Sequence, residues 1–134
     1  MIRAMTPDEF FALEVDLVRR HQHLEDLTTN SALDHVFYVA FIDERVVAFR
    51  YVRFFDGVCE LFQMFVDTPF RRNGIAERTL IVALDDALTR HCREVDAIWG
   101  GAEERHLALF SLYERTLQDV RYQNSGLRFK AMRP

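Results

Sequence analysis

The chain has 134 residues and a mass of 15.8 kDa, the size of one domain and too short for two, so residues 1–134 are read as a single domain. Hydrophobic residues make up 49% and charged residues 28%, which excludes disordered and fibrous classes. A formal net charge of −4 argues against a nucleic-acid binder, which needs a basic face. Two cysteines, Cys59 and Cys92, make no disulfide framework and fit a reducing, cytoplasmic setting. Met1-Ile2-Arg3-Ala4-Met5 lacks the apolar stretch of a signal peptide. The longest apolar run, Val36 to Ile42, is too short to span a bilayer, so no membrane partner is expected.

Ile2 to Met5 reads as a short strand. Thr6 then caps a helix, with Pro7 at its first position and Glu9 completing a capping box. That helix is predicted to run to about Leu24, with Phe10, Leu13, Leu17 and Val18 on one face. Three strands follow. His35 to Asp43 is apolar and aromatic, Asp43-Glu44-Arg45 is a tight turn, and Val46 to Phe55 is the second strand. Asp56-Gly57 is a hairpin signal, because both central residues of such a turn need positive φ. Val58 to Val66 is the third strand. Short turns make all three antiparallel neighbours.

Thr68 to Gly74 is a loop, and Ile75 to His91 a helix with Ala76, Leu80, Leu84, Ala87, Leu88 and His91 along its stripe. Ala97 to Gly101 reads as a strand and Glu103 to Leu117 as a helix carrying Phe110, Tyr113 and Leu117 on one face. Val120 to Gln123 and Leu127 to Met132 form a hairpin across Asn124-Ser125-Gly126. The order β-α-β-β-β-α-β-α-β-β predicts an α/β fold: a mixed, mostly antiparallel central sheet flanked by helices.

One stretch carries chemistry. Between the third hairpin strand and the next helix stands Arg71-Arg72-Asn73-Gly74-Ile75-Ala76, of the form Arg-x-x-Gly-x-Ala. A helix start offers unpaired N–H groups and a positive dipole end. Gly74 lets backbone approach a ligand closely, Ala76 leaves room for it, and Arg71 and Arg72 add cationic donors. The alternative is an exposed basic loop before an ordinary amphipathic helix. In the preceding strand, simple alternation puts Glu60, Phe62, Met64 and Val66 on one face and Cys59, Leu61, Gln63 and Phe65 on the other.

The loop after a Val66-Asp67-x-Pro69-x-Arg71-Arg72 strand exit resembles motif A of the GNAT family of acyl-CoA-dependent N-acetyltransferases, and the element order is similar over nearly the whole chain. The resemblance implies a GNAT fold and transfer of an acetyl group from acetyl-CoA to a primary amine, directly, in a ternary complex. It implies that Arg71, Arg72, Asn73, Gly74, Ile75 and Ala76 hold the pyrophosphate of coenzyme A. The third hairpin strand bulges and splays in that family, so the backbone of Met64, Phe65 and Val66 would pair with the pantetheine arm and polarise the thioester carbonyl.

Glu60 stands where histone-acetyltransferase-type members carry a general-base glutamate, and an amine must be neutral to attack. Burial among Phe62 and Phe54 would raise its pKa. The other reading is a strand carboxylate paired with Arg50 or Arg53. Leu112-Tyr113-Glu114-Arg115 resembles motif B, which implies that Tyr113 protonates the departing thiolate; a core aromatic is the plainer reading. Where motif B often has Asn, this chain has His106, a weaker candidate for cofactor contact. Its usual Gly-Phe is replaced by Leu117-Gln118.

The acceptor, a small molecule or a protein, is expected over Arg20 to Asp34 and the hairpin tips. Exposed aromatic strands leave room for a homodimer. A second reading is a GNAT-fold protein of weak or lost activity that binds coenzyme A or a protein partner. His21-Gln22-His23 is discounted as a metal site, since two helical residues two apart point roughly 200° apart, and is read as a solvated helix end. Cys59 and Cys92 are read as packing residues. Arg50 and Arg53, three apart on a strand, face opposite sides.

Overall fold

The computed structural model describes residues 1–98, 117–123 and 126–131 of the chain. Strand β1 (Ile2–Met5) leads into α1 (Pro7–Phe11) through the predicted capping box. The Glu9 amide donates to Thr6 Oγ1 at 3.2 Å and the Thr6 amide donates to Glu9 Oε1 at 2.9 Å. The long first helix does not form. The chain leaves α1 at Ala12, re-enters helix as α2 (Asp16–Arg19) after an extended Val15, and continues as a 3-10 segment, Gln22–Thr28. Val15 is β-branched and suits extended backbone. The break lets Leu17, Val18 and Leu24 all turn inward beside Phe10 and Phe49, so burial overrides helix periodicity.

The hairpins follow the turn chemistry. Strands β2 (Asp34–Ile42) and β3 (Arg45–Phe55) join through Asp43 and Glu44, at φ 50° and 65°, and β3 joins β4 (Val58–Val66) through Asp56 and Gly57, at φ 48° and 76°. Two successive left-handed residues make the turn whose twist matches the strands. Gly57 serves this left-handed position, and a side chain there would need the Arg93 guanidinium to shift by a few tenths of an ångström.

Helix α3 (Ile75–Thr89) crosses back to β5 (Glu94–Ile98), earlier than the predicted Ala97–Gly101 strand. The chain ends in an antiparallel hairpin of β6 (Leu117–Gln123) and β7 (Gly126–Ala131). Leu117 thus opens a strand, and the helix expected before it lies outside the described residues. The seven strands form one sheet in the order β1-β2-β3-β4-β5-β7-β6. Every neighbouring pair is antiparallel except β4 and β5, which are parallel. The sheet is therefore mixed and mostly antiparallel, as the element order implies.

Two cores flank it. On one face Leu80, Ala83, Leu84 and Ala87 of α3 pack on Tyr38, Val52, Phe54, Cys59, Leu61 and Val95. Leu88, expected on that stripe, is exposed, and Thr79 is buried instead. On the other face α1 and α2 lay Phe10, Leu17 and Val18 over Phe37, Phe49 and Tyr51. Phe10 and Phe37 stack at 4.1 Å and Phe37 and Tyr51 at 4.6 Å, each pair adding about 1 kcal/mol beyond area burial. The α3 end is fixed by side chains: Tyr38 donates to Asp86, and Arg90 pairs with Asp34 and Asp86 while lying 4.0 Å over Phe54.

Burial pushes the Cys59 thiol up, and burial with the Asp86 hydrogen bond pushes the Tyr38 hydroxyl up. In the unfolded chain they ionise near about 8.5 and about 10. Both raised groups favour folding fully below those values, and that contribution falls away as pH climbs past them. The melting temperature is therefore expected to decline from about pH 9 upward, in thermal melts at constant ionic strength. Cys59→Ala should shrink the earliest part of the decline while leaving the Tyr38 part and the share of Cys92, whose thiol burial also pushes up. An identical alkaline slope in the variant would mean that Cys59 does not contribute.

Candidate active site

β4 changes neighbours halfway along. Its first four residues pair with β5, from Val58 opposite Glu94 to Leu61 opposite Ala97. Beyond Leu61, among the described residues, β4 keeps β3 on one side and has no strand on the other. Backbone N–H and C=O groups alternate sides along a strand, so some of those in Phe62–Val66 face this gap. Gly100 and Gly101, at the end of the strand predicted over Ala97–Gly101, lie outside the described residues.

The splay begins at a bulge. Val52 pairs with Leu61 and Tyr51 with Gln63, so Phe62 is one residue too many. A bulge bends a strand and shifts its alternation by one. Cys59 and Leu61 face α3, and after the bulge Met64 and Val66 do so, packing toward Ile75 and Ala76. Phe62 and Phe65 turn to the α1 and α2 side. The predicted grouping of Glu60, Phe62, Met64 and Val66 on one face therefore fails at Phe62. Phe54, expected beside Glu60, lies on the α3 face with Cys59 and Leu61.

β4 then runs into the start of α3. The Asp67 amide donates to the Val47 carbonyl at 2.8 Å, and Arg71 Nε donates to the Val66 carbonyl at 2.9 Å, so the loop is tied to the sheet at both ends of Thr68–Phe70. Arg72 has φ 66° and Gly74 φ 76°. Left-handed residues bend a loop into a concave turn whose N–H groups converge, an anion-binding shape. Gly74 caps α3 with no side-chain hydrogen bond to the first turn, so the orphan N–H groups of a fifteen-residue helix are left for solvent or a ligand. A Cβ placed on Gly74 meets no protein atom within 4 Å. The glycine thus serves its φ and an open space above the helix, not internal packing. Arg71 and Arg72 are exposed in the same loop, the Arg71 guanidinium lying 5.6 Å over the Phe65 ring. Small Ala76 and this concave, donor-rich turn fit a diphosphate.

Glu60 sits on the opposite face from α3. Its carboxylate is paired with Arg53, directly across from it on β3. Their side chains are 14% and 17% exposed. The Arg53 guanidinium also covers the Phe62 ring at 4.1 Å. Arg50 and Arg53 do face opposite sides: Arg50 is buried against α3, its Nε donating to Thr79 Oγ1 and its Nη2 to the Ala76 carbonyl, both at 3.2 Å.

Two histidines extend the Glu60 side. His21 is buried, not solvated. It is wedged against Phe49 and Phe65 at 4.9 and 4.6 Å, with Nδ1 2.7 Å from the Leu17 carbonyl. His35 lies 2.8 Å from the Tyr51 hydroxyl and 2.9 Å from the Asn30 carbonyl. That carbonyl needs the Nε2 proton, so in the neutral ring Nδ1 accepts from Tyr51. His35 shares the strand face of Phe37 and Val39, a period-two signal legible in the sequence. Arg20 lies 5.3 Å over Phe65 and bonds Asp67, fastening the Arg20–Asp34 connection to the β4 exit. Tyr113 and His106 lie outside the described residues. Among the described residues no group of histidine, cysteine and carboxylate side chains could hold a metal ion, and no helix is long and apolar enough to cross a membrane.

Residues 2–117 match the family model described as Acetyltransferase (GNAT) family. No protein of curated function is similar enough to count as a match. Among solved structures, the chain is similar to a PaiA N-acetyltransferase from Thermoplasma acidophilum in complex with coenzyme A (12% identity, 98% of each chain covered, TM-score 0.66). It is also similar to a GNAT family acetyltransferase from Elizabethkingia anophelis with acetyl-CoA bound, at 13% identity, covering 100% of this chain and 97% of that one, TM-score 0.67. A third is a ribosomal-protein-alanine N-acetyltransferase from Brucella melitensis, at 20% identity, 97% of each chain and TM-score 0.61. At these identities the likeness is one of fold.

Proposed function

The chain belongs to the GNAT family of acetyltransferases, and on that premise we propose that it transfers an acetyl group from acetyl-CoA to a primary amine of a small molecule or protein, directly, in a ternary complex. The observation that carries this reading is the path of β4: bulged at Phe62, no longer paired with β5 past Leu61 among the described residues, and delivered into the open N-terminus of α3 at Gly74.

The division of labour follows from the two faces. The loop Arg71–Ala76 receives the diphosphate through N–H groups and guanidinium donors. The β4 backbone at Met64, Phe65 and Val66 faces an extended arm that itself carries amide groups, and an N–H there would stabilise charge growing on the thioester oxygen, an effect worth roughly 3 kcal/mol in enzymes of this logic. Glu60, on the acceptor side, takes the amine proton directly or through a water, and Tyr113 gives a proton to the thiolate. The buried His21 and the fastened Arg20–Asp34 connection support placing the acceptor over that segment, where connecting chain is free to vary.

Acetyl-CoA at 100 times its Kd is expected to stabilise the protein by about 2.7 kcal/mol, read as a rise in melting temperature. Thiol release from acetyl-CoA should then depend on an added amine. Absence of the thermal shift sinks the cofactor assignment. A shift without thiol release across amino-acid, polyamine, aminoglycoside and peptide amines would favour the second reading, a coenzyme A-binding interaction protein. The pairing of Glu60 with Arg53 is the observation that keeps it in view, since the carboxylate already has a partner.

A further inference from the structure

Arg50 breaks two rules at once. It stands mid-strand in β3, opposite Tyr38 on β2 and Met64 on β4, and is 3% exposed. Its hydrogen bonds go to the Thr79 hydroxyl and the Ala76 carbonyl, both neutral acceptors. Among the described residues no carboxylate is paired with it. A buried charge without a counter-charge is costly. This one also lies under the first turn of α3, where the helix end is already positive and cations are disfavoured. Rules broken together in one place mark a functional site more often than a defect.

Both costs are relieved by one event, the arrival of an anion at the start of α3. We propose that Arg50 is the fixed counter-charge of the coenzyme A diphosphate, acting from beneath the helix; this rests on the acyl-CoA reading above. It is a positioning residue. Its two hydrogen bonds hold the first turn, so that the N–H groups of that turn stay aimed at the ligand. Its charge reaches the ligand through protein, where screening by water is weak. Arg71 and Arg72 are exposed in the loop that leads into the same helix, so the diphosphate would have exposed cations in its loop and one buried cation beneath the helix. A neutral side chain at position 50 could fill the space and fasten α3, but could not supply that charge.

The test compares wild type, Arg50→Met and Arg50→Lys for affinity to coenzyme A and to acetyl-pantetheine, which lacks the phosphates, together with the melting temperature without ligand. Arg50→Met should bind coenzyme A at least tenfold more weakly, bind acetyl-pantetheine as wild type does, and melt no lower than wild type. Arg50→Lys should recover most of the coenzyme A affinity. Unchanged coenzyme A affinity in Arg50→Met, or an equal loss for both ligands, overturns the proposal in favour of a purely structural arginine. If Arg50→Met does not fold, Arg50→Lys decides: coenzyme A affinity within threefold of wild type supports the counter-charge, and an equal loss for both ligands refutes it. A wild-type protein that binds neither ligand removes the acyl-CoA reading itself, a result distinct from any Arg50 effect.

Discussion

Glu60→Gln is expected to lower kcat about 10²-fold, the scale of a positioned proton acceptor, with acetyl-CoA affinity unchanged. The acidic limb of the rate–pH profile should flatten, because a carboxamide cannot titrate. The substitution keeps the size of the side chain and one oxygen for Arg53, so packing against Phe62 survives. The geometry also sets the competing outcome. Glu60 and Arg53 are a half-buried pair across a hairpin, and removing one partner of such a pair destabilises. Were Glu60 only that partner, the melting temperature would fall while kcat and the acidic limb stayed. Tyr113→Phe examines the other proton: kcat falls and cofactor affinity holds if it protonates the thiolate, and an unchanged kcat removes it from the chemistry.

Gly74→Asn separates backbone need from ligand space. Asn tolerates left-handed backbone better than other side chains, and the added atoms meet no protein within 4 Å at Cβ. The free protein should therefore melt within a few degrees of wild type, a loss below about 1 kcal/mol. The same atoms project into the space over the α3 N-terminus, so the Kd for coenzyme A should rise at least tenfold, about 1.4 kcal/mol. Calorimetric titration checks this directly. Wild-type affinity in a folded Gly74→Asn protein would place the ligand elsewhere and undo the assignment of the Arg71–Ala76 loop.

What could be read from the chain itself was mainly punctuation. Asp56-Gly57 announces its hairpin because only certain residues accept positive φ, and Thr6 with Glu9 announces a helix start because orphan N–H groups need acceptors. The Arg71–Ala76 loop stood out for the same reason, a glycine just before a helix. Phe62 gave no such sign. The polar residues around it are Glu60 and Gln63, and two polar positions three apart are too few to tell an extra residue from ordinary alternation in a strand covered on both faces. Alternation sets Arg50 and Arg53 on opposite sides without saying which is buried, because the burial of Arg50 depends on α3, which packs from another part of the chain. The burial of His21 is hidden from helix periodicity, because the chain breaks at Val15 and swings that ring inward.

The single extra residue at Phe62 makes β4 two strands spliced out of phase. Upstream of the splice, odd-numbered positions belong to the α3 core and even-numbered ones to the opposite layer; downstream the assignment is reversed. A mutational scan read by one parity rule would therefore invert its own meaning halfway along the strand. It also lets the two halves be tuned separately. The first half, locked between β3 and β5, sets how well the sheet holds together. The second, paired among the described residues with β3 alone, can change at Gln63 without disturbing the register that precedes it.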